Sequence, residues 1–226
     1  MAITKKMLIF INRLTKNLTN FLFPKKCVSC SKENTWICEK CLKEIPFAER
    51  QENDFINSVW NYKDLKIKKL LWLLKFKKRF SVVEDIGEVL HDHFQDFIYE
   101  KEIWDNAQNI VLLPVPIGAK RLRKRGYNQS AIIAKELSKQ NDKKFIIRED
   151  LLEKIKDGPP QNSIKNRRRR FENIRNSFRI KNENEIRGKS FIVIDDITTT
   201  GATISEIKKI LNRAGAKNVF GFTIAH

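Results

Sequence analysis

Two adjacent carboxylates, Asp195 and Asp196, stand between an apolar run and a turn rich in hydroxyls. The run, Phe191 to Ile194, is short and β-branched, the pattern of a strand buried on both faces of a parallel sheet. The turn reads Thr198-Thr199-Thr200-Gly201-Ala202-Thr203, and beyond it Ile204, Ile207 and Leu211 recur at helical spacing up to Gly215. Backbone N–H groups and threonine hydroxyls in such a turn can cradle a phosphate, and the helix N-terminus adds the positive end of its dipole. The two acids would repel that phosphate, so they face hydroxyls or a metal beside it. A sugar phosphate meets both demands, with ribose hydroxyls on Asp195 and Asp196 and the 5'-phosphate in the loop. The plainer alternative is a buried strand that ends in an Asx turn.

A second constellation is Cys27-Val28-Ser29-Cys30, seven intervening residues, then Cys38-Glu39-Lys40-Cys41; these are the chain's four cysteines. Two C-x-x-C knuckles supply the four thiolates of a tetrahedral Zn²⁺ site, with sulfurs about 2.3 Å from the ion. With all four ligands cysteine, no position stays open for catalysis, so the zinc is expected to be structural. Disulfides or free thiols are the alternatives, and a reducing compartment disfavours the former.

Basic residues form three groups. Lys120, Arg121, Arg123, Lys124 and Arg125 lie in a loop from Ile117 to Gly126, after a strand at Asn109 to Leu113 and before a helix at about Tyr127 to Lys139. That placement reads as a second anion site, with a solvated basic turn as the alternative. Between Leu65 and Phe80, Ile67, Leu70, Leu71 and Leu74 mark an apolar helical face. Lys66, Lys68, Lys69, Lys75, Lys77, Lys78 and Arg79 interleave there with Trp72, Phe76 and Phe80. Two readings stand side by side: a solvated lysine face, or a surface that tracks a phosphate backbone and stacks bases on its rings. The third group, Arg167-Arg168-Arg169-Arg170, reads as a nucleic-acid patch or a flexible exposed segment, and the break Asp157-Gly158-Pro159-Pro160 before it is consistent with a mobile loop over a pocket.

The frame that must position these groups is 226 residues long and 41% hydrophobic, enough for one ordinary domain and a small module. Three parts are expected: residues 1–50 with the cysteines, a basic helical connector at 51–102, and the main domain at 103–226. Residues 6 to 23 have an amphipathic helical pattern suited to the chain's own core or to an anionic membrane surface. Residues 50 to 64 read as a polar junction. Ser81 with Glu84 reads as a capping box that opens a helix to about Tyr99; His91 and His93 on it lie two apart and make a poor metal pair. Lys144 to Ile147 and Lys217 to Ala225 complete the strands. No stretch approaches the roughly 20 apolar residues of a membrane span, and Met7 to Ile11 is too short for a signal-peptide core. The chain therefore reads as cytoplasmic, with peripheral contact at the membrane's inner face left open. A formal charge of +18, from 45 basic and 27 acidic residues, points to an anionic partner, nucleic acid before membrane.

The stretch around Asp195 resembles the phosphoribosyl pyrophosphate (PRPP) motif of type I phosphoribosyltransferases. Purine-salvage members carry an acid as general base where Thr199 stands, so the resemblance speaks for PRPP binding more than for transfer to a purine. Further motifs narrow it: the four cysteines, L-L-K-F at Leu73 to Phe76, K-R-G-Y-N-Q at Lys124 to Gln129, and Gln161, Arg170, Asn173 and Phe178 in the spacing Q…R-x-x-N-x-x-x-x-F. Their order is similar to that of the ComF family of competence proteins, with Lys154 and Gly158 departing from its arginine and threonine. The resemblance implies an α/β fold, a type I phosphoribosyltransferase-like parallel sheet with helices on both faces. It implies a ribose site at Asp195 and Asp196 and a phosphate loop from Thr198 to Thr203. A pyrophosphate loop at Lys120 and Arg121 and a flexible loop with Gln161, Arg170 and Asn173 would complete the pocket, with Mg²⁺ accompanying PRPP. It also implies single-stranded DNA as a partner, with a competence helicase or inner-membrane DNA channel as further candidates. Lys68, Lys69, Lys75, Lys77, Lys78, Arg79, Arg123, Arg125 and Arg167 to Arg169 are the expected DNA contacts. The alternative is an active transferase with an unidentified acceptor.

Overall fold

The central strands of this protein are apolar at nearly every position because each serves two cores at once. In a strand, successive side chains point to opposite faces. Ile110 and Leu112 accordingly enter one core while Val111 and Leu113 enter the other, and Ile192 and Ile194 oppose Phe191 and Val193 in the same way. A computed structural model describes residues 24–49, 53–101, 110–139, 145–156 and 172–226. The elements begin with α1 (Glu39–Lys43), β1 (Ile56–Trp60), α2 (Leu65–Phe76), α3 (Ser81–Asp85), α4 (Gly87–Glu100) and β2 (Ile110–Pro114). They continue with α5 (Ala119–Arg125), α6 (Gln129–Ser138), β3 (Phe145–Ile147), β4 (Leu152–Lys154) and β5 (Phe178–Ile180). β6 (Ser190–Ile197), α7 (Ala202–Arg213) and β7 (Asn218–Ala225) close the order.

The main sheet runs β1-β7-β6-β2-β3 with every pair parallel, so all its strands end at one edge. Helices α2 and α4, with residues of α6, cover one face together with the cysteine module, whose Ile37, Leu42 and Ile45 join the same core as Trp60, Phe94 and Phe222. Helix α7 and the antiparallel β4-β5 pair cover the other. Gly221 in β7 lets α7 approach: a Cβ there would lie 2.7 Å from the Ile204 side chain. The expected parallel sheet with helices on both faces is present.

Several local expectations need correction. The junction expected at residues 50 to 64 contains a strand of the main sheet, because Ile56–Trp60 pairs with β7 as its edge. The boundary expected near residue 103 therefore cuts through one sheet. Ser81 does not cap a long helix: its hydroxyl accepts from Trp36 Nε1 at 3.0 Å, and no side chain caps α3. The helix expected from Ser81 to Tyr99 is two, α3 and α4, parted at Ile86. The loop expected from Ile117 to Gly126 is mostly helix α5, which ends on Gly126 at φ +82°. Asn128 caps α6 by accepting from Ser130 N–H. The helix expected at residues 6 to 23 lies outside the described residues.

Candidate functional site

At the edge where the parallel strands end, β6 delivers Asp195 and Asp196 opposite Thr223 of β7 and just beyond Pro114 of β2. The loop Thr198 to Gly201 is clamped from below. Thr198 N–H donates to Ala225 O at 3.0 Å, and His226 Nε2 donates to Thr199 O at 3.1 Å. Gly201 holds φ +71°, the left-handed region, and a Cβ there would lie 2.8 Å from Asn53 Nδ2 and 3.0 Å from Ile56 Cδ1. Glycine is what permits this turn. It is also the N-cap of α7 and offers that helix no side-chain acceptor. The hydroxyl of Thr200 is buried without a hydrogen-bond partner among the described residues. A buried hydroxyl without a partner is costly; one beside a helix N-terminus suits a phosphate oxygen.

The two acids have different surroundings. Asp195 Oδ1 accepts from Ser130 Oγ at 3.0 Å and from Asp196 N–H at 2.9 Å. Burial pushes the Asp195 carboxyl up to about 7 and the charge of Asp196 adds to it, while its N–H partner, Lys75 and Ser130 work in the opposite direction. Asp196 pairs with Lys75 of α2, the two side chains being 5% and 17% exposed. Lys75, expected on a nucleic-acid face, thus points inward to the acid pair. The reason lies in its register: Ile67 and Leu71 are buried, and Lys75 follows them at i+4 and i+8 on the same stripe.

The expected residues are brought together in part. Asp195, Asp196, Thr198, Thr199, Thr200, Gly201, Ala202 and Thr203 form one continuous edge-loop-helix unit. Lys120 and Arg121 begin α5 rather than lie in a loop, separated from β2 by the short link Val115 to Gly118. Gln161, Arg167, Arg168, Arg169 and Arg170 lie outside the described residues. Asn173 is described; its carbonyl accepts from Ser177 Oγ at 3.2 Å, and nearby Asn176 N–H donates to Glu206 of α7 at 2.8 Å. A cavity of about 430 Å³ opens there, lined by Glu172, Ile174, Arg175, Ala202, Ser205 and Glu206, with Lys209 at its rim. It shares Ala202 with the phosphate loop.

The basic helix α2 has partners within the chain. Lys68 stands over the Tyr62 ring and Lys77 over Trp72, at 5.8 and 5.1 Å from the centroids. Lys69 donates to Val28 O, and Arg79 lies 5.4 Å from the Trp36 ring centre. Lys78 is exposed at φ +54°. Arg123 is exposed on α5, while Arg125 lies over Phe76 and donates to Gln129.

A separate group lies on the cysteine module. The sulfurs of Cys27, Cys30, Cys38 and Cys41 all fall within 4.8 Å of one another, with Cys30 to Cys38 at 3.6 Å and Cys27 to Cys38 at 3.9 Å. Tetrahedral Zn–S bonds of about 2.3 Å place sulfurs roughly 3.8 Å apart, so the four fit a metal such as zinc. Burial opposes ionisation of Cys27, but backbone N–H groups of Cys30, Cys38 and Ser29 outweigh it and hold the thiol down to about 6. The module is pinned to α3 by Asp85, which accepts from Trp36 N–H at 2.6 Å and from Thr35 Oγ1 at 3.1 Å. No described helix is long and apolar enough to cross a membrane.

Comparison with known proteins finds one family and three relatives. The family described as phosphoribosyl transferase domain matches residues 96–225. Competence protein F of Haemophilus influenzae is 25% identical over 90% of this chain and 84% of its own length. DNA utilization protein YhgH of Escherichia coli O157:H7 is 27% identical over 80% of this chain and 74% of its own, and competence protein ComFC of Streptococcus pneumoniae is 37% identical over 49% of this chain and 45% of its own.

Proposed function

We propose, for a chain that belongs to the ComF family of phosphoribosyl transferase-like proteins, a role in handling incoming single-stranded DNA during natural competence, with PRPP bound at the sheet edge. The names of these relatives support the competence role. The observation that carries the PRPP reading is the acid pair leading into a glycine-hinged threonine loop whose Thr200 hydroxyl is buried and unpartnered. Asp195 and Asp196 would take the ribose hydroxyls, and Thr198 to Thr203 with the first amides of α7 the 5'-phosphate. Mg²⁺ would travel with the ligand's diphosphate, while the four cysteines are close enough to share one ion of their own. Structural zinc there would anchor the module that covers one face of the sheet. The DNA reading rests on the charge of +18 and on carboxylate-free basic stretches at residues 65–83 and 117–130.

A second reading, phosphoribosyl transfer, is favoured by one observation. A carboxyl held at about 7 is poised to accept a proton near neutral pH. Calorimetric titration with PRPP and Mg²⁺ tests the binding site: the variant Asp195→Asn/Asp196→Asn should bind at least a hundredfold more weakly, since each charge-assisted hydrogen bond contributes roughly 1.5–3 kcal/mol. Equal affinities would refute the assignment. Pyrophosphate release from PRPP in the presence of nucleobases or single-stranded DNA would promote the transferase reading.

A further inference from the structure

Helix α2 spends its apolar stripe, Ile67, Leu70, Leu71 and Leu74, on the core. The opposite side nevertheless carries large rings. Trp72 is 48% exposed and Phe76 63%, and four residues further Phe80 is 42% exposed. Positions 72 and 76 are one turn apart on the helix; their ring centres lie 6.4 Å apart with planes tilted by 44°. At these exposures each ring keeps a free surface.

Cations are set against these rings. The Lys77 ammonium lies 5.1 Å from the Trp72 centroid, and Arg125 reaches across from α5 to 5.6 Å from Phe76. The junction of the two helices is fixed: Tyr127 meets Phe80 edge-on at 4.7 Å and donates its hydroxyl to Leu74 O. Two segments far apart in sequence thus make one strip of rings bordered by positive charge. Neither segment contains an aspartate or glutamate from residue 65 to 83 or from 117 to 130. A surface kept only for solubility needs cations but no rings, and a surface for an apolar partner would not place cations on the ring faces.

We infer that Trp72 and Phe76, with Lys77 and Arg125, form a base-stacking platform for single-stranded nucleic acid. This deepens the single-stranded DNA reading above and rests on it. The rings take unpaired bases, whose faces are free only in a single strand, and the cations on α5 and at the end of α2 follow the phosphates. The division of labour gives the site a signature. Stacking does not depend on salt, whereas each neutralised phosphate releases about 0.7 counterion.

The test uses the full chain, fluorescently labelled oligothymidylate, and anisotropy titrations across a range of salt. Trp72→Leu and Phe76→Leu, which keep apolar bulk but lose the ring, should each weaken binding by roughly five- to a hundredfold with the salt slope unchanged. Trp72→Phe should restore most of the loss. Lys77→Ala/Arg125→Ala should flatten the slope by about 1.4, two phosphates at 0.7 each. Because Trp72 and Phe76 are exposed, the leucine variants should keep the wild-type melting temperature and PRPP affinity. If the wild type binds oligothymidylate but the leucine variants bind equally well, the platform is wrong and the DNA reading stands. A preference for duplex over single strand would overturn the platform. If the wild type ignores oligothymidylate at low salt yet binds vesicles containing phosphatidylglycerol, the DNA reading itself fails and the strip belongs to a membrane surface.

Discussion

Replacing Lys75 by methionine should cost far more than the loss of one lysine among 45 basic residues suggests. Methionine matches the length and apolar stem of lysine but leaves Asp196, 5% exposed, without its counter-charge. Breaking a buried pair from one side typically costs about 3–5 kcal/mol. At roughly 2–4 °C per kcal/mol for a protein of this size, the melting temperature should fall by about 6–20 °C. The loss should also depend on pH. In the wild type, burial raises the Asp195 carboxyl from its ordinary range to about 7. The folded state therefore holds a proton that the unfolded state releases, and stability declines as pH rises from about 4 to about 7. Lys75 is one of the groups that hold the Asp195 carboxyl down, so without it this decline should extend above 7. Because protonation of Asp195 relieves the missing charge, the variant's deficit should shrink on acidification. Urea unfolding of both proteins at about pH 5.5, 7 and 8.5 measures the difference. A deficit under about 1 kcal/mol at the highest pH, with no trend, would mean that the pair behaves as a solvated surface pair and would refute the reasoning.

Three further outcomes follow from the geometry. Gly201→Ala should cost at least about 1–2 kcal/mol, because an L-residue is forced to φ +71° and its Cβ meets Asn53 at 2.8 Å; PRPP affinity should fall with it, and calorimetry with unchanged affinity would count against the loop. Cys38→Ser should remove the metal, measured as zinc per chain falling from one to near zero, and should lower the melting temperature of the whole protein because Cys38 shares the core of the main sheet. PRPP affinity should fall as pH drops from about 8 to 6, since Asp195 loses its charge through about 7; a flat calorimetric profile over that range would disconnect Asp195 from the ligand.

The central strand, the acid pair, the threonine loop and the paired cysteine knuckles were legible in the sequence because each is local: the residues that matter are neighbours in the chain. Strand β1 was not, because Asn57 and Ser58 break its apolar alternation. Ser58 is tolerated there since its hydroxyl bonds that of Thr223 at 2.7 Å across the strand pair. The capping box failed for a related reason: Ser81 serves Trp36, 45 residues earlier in the chain, rather than its own helix. Ser130 as a partner of Asp195 has no local signal at all; only the packing of α6 on β6 brings it there. Lys75 did carry one. A lysine four residues after buried Leu71 sits on the apolar stripe, where a charge persists only with a partner. The charge count drew attention to the solvated lysines instead.

The place of β1 bears on how the chain comes to fold. Ser58 and Thr223 hydrogen-bond across a separation of 165 residues, and β7 lies between β1 and β6. During synthesis β1 and the central strand β6 both wait for the segment 218–225, each with an open edge. Contacts this distant slow folding, and unpaired strand edges invite association with other chains. The four cysteines, by contrast, have all emerged with residue 41 and can take up metal early. The nascent protein would then carry a finished clasp well before the sheet it fastens exists.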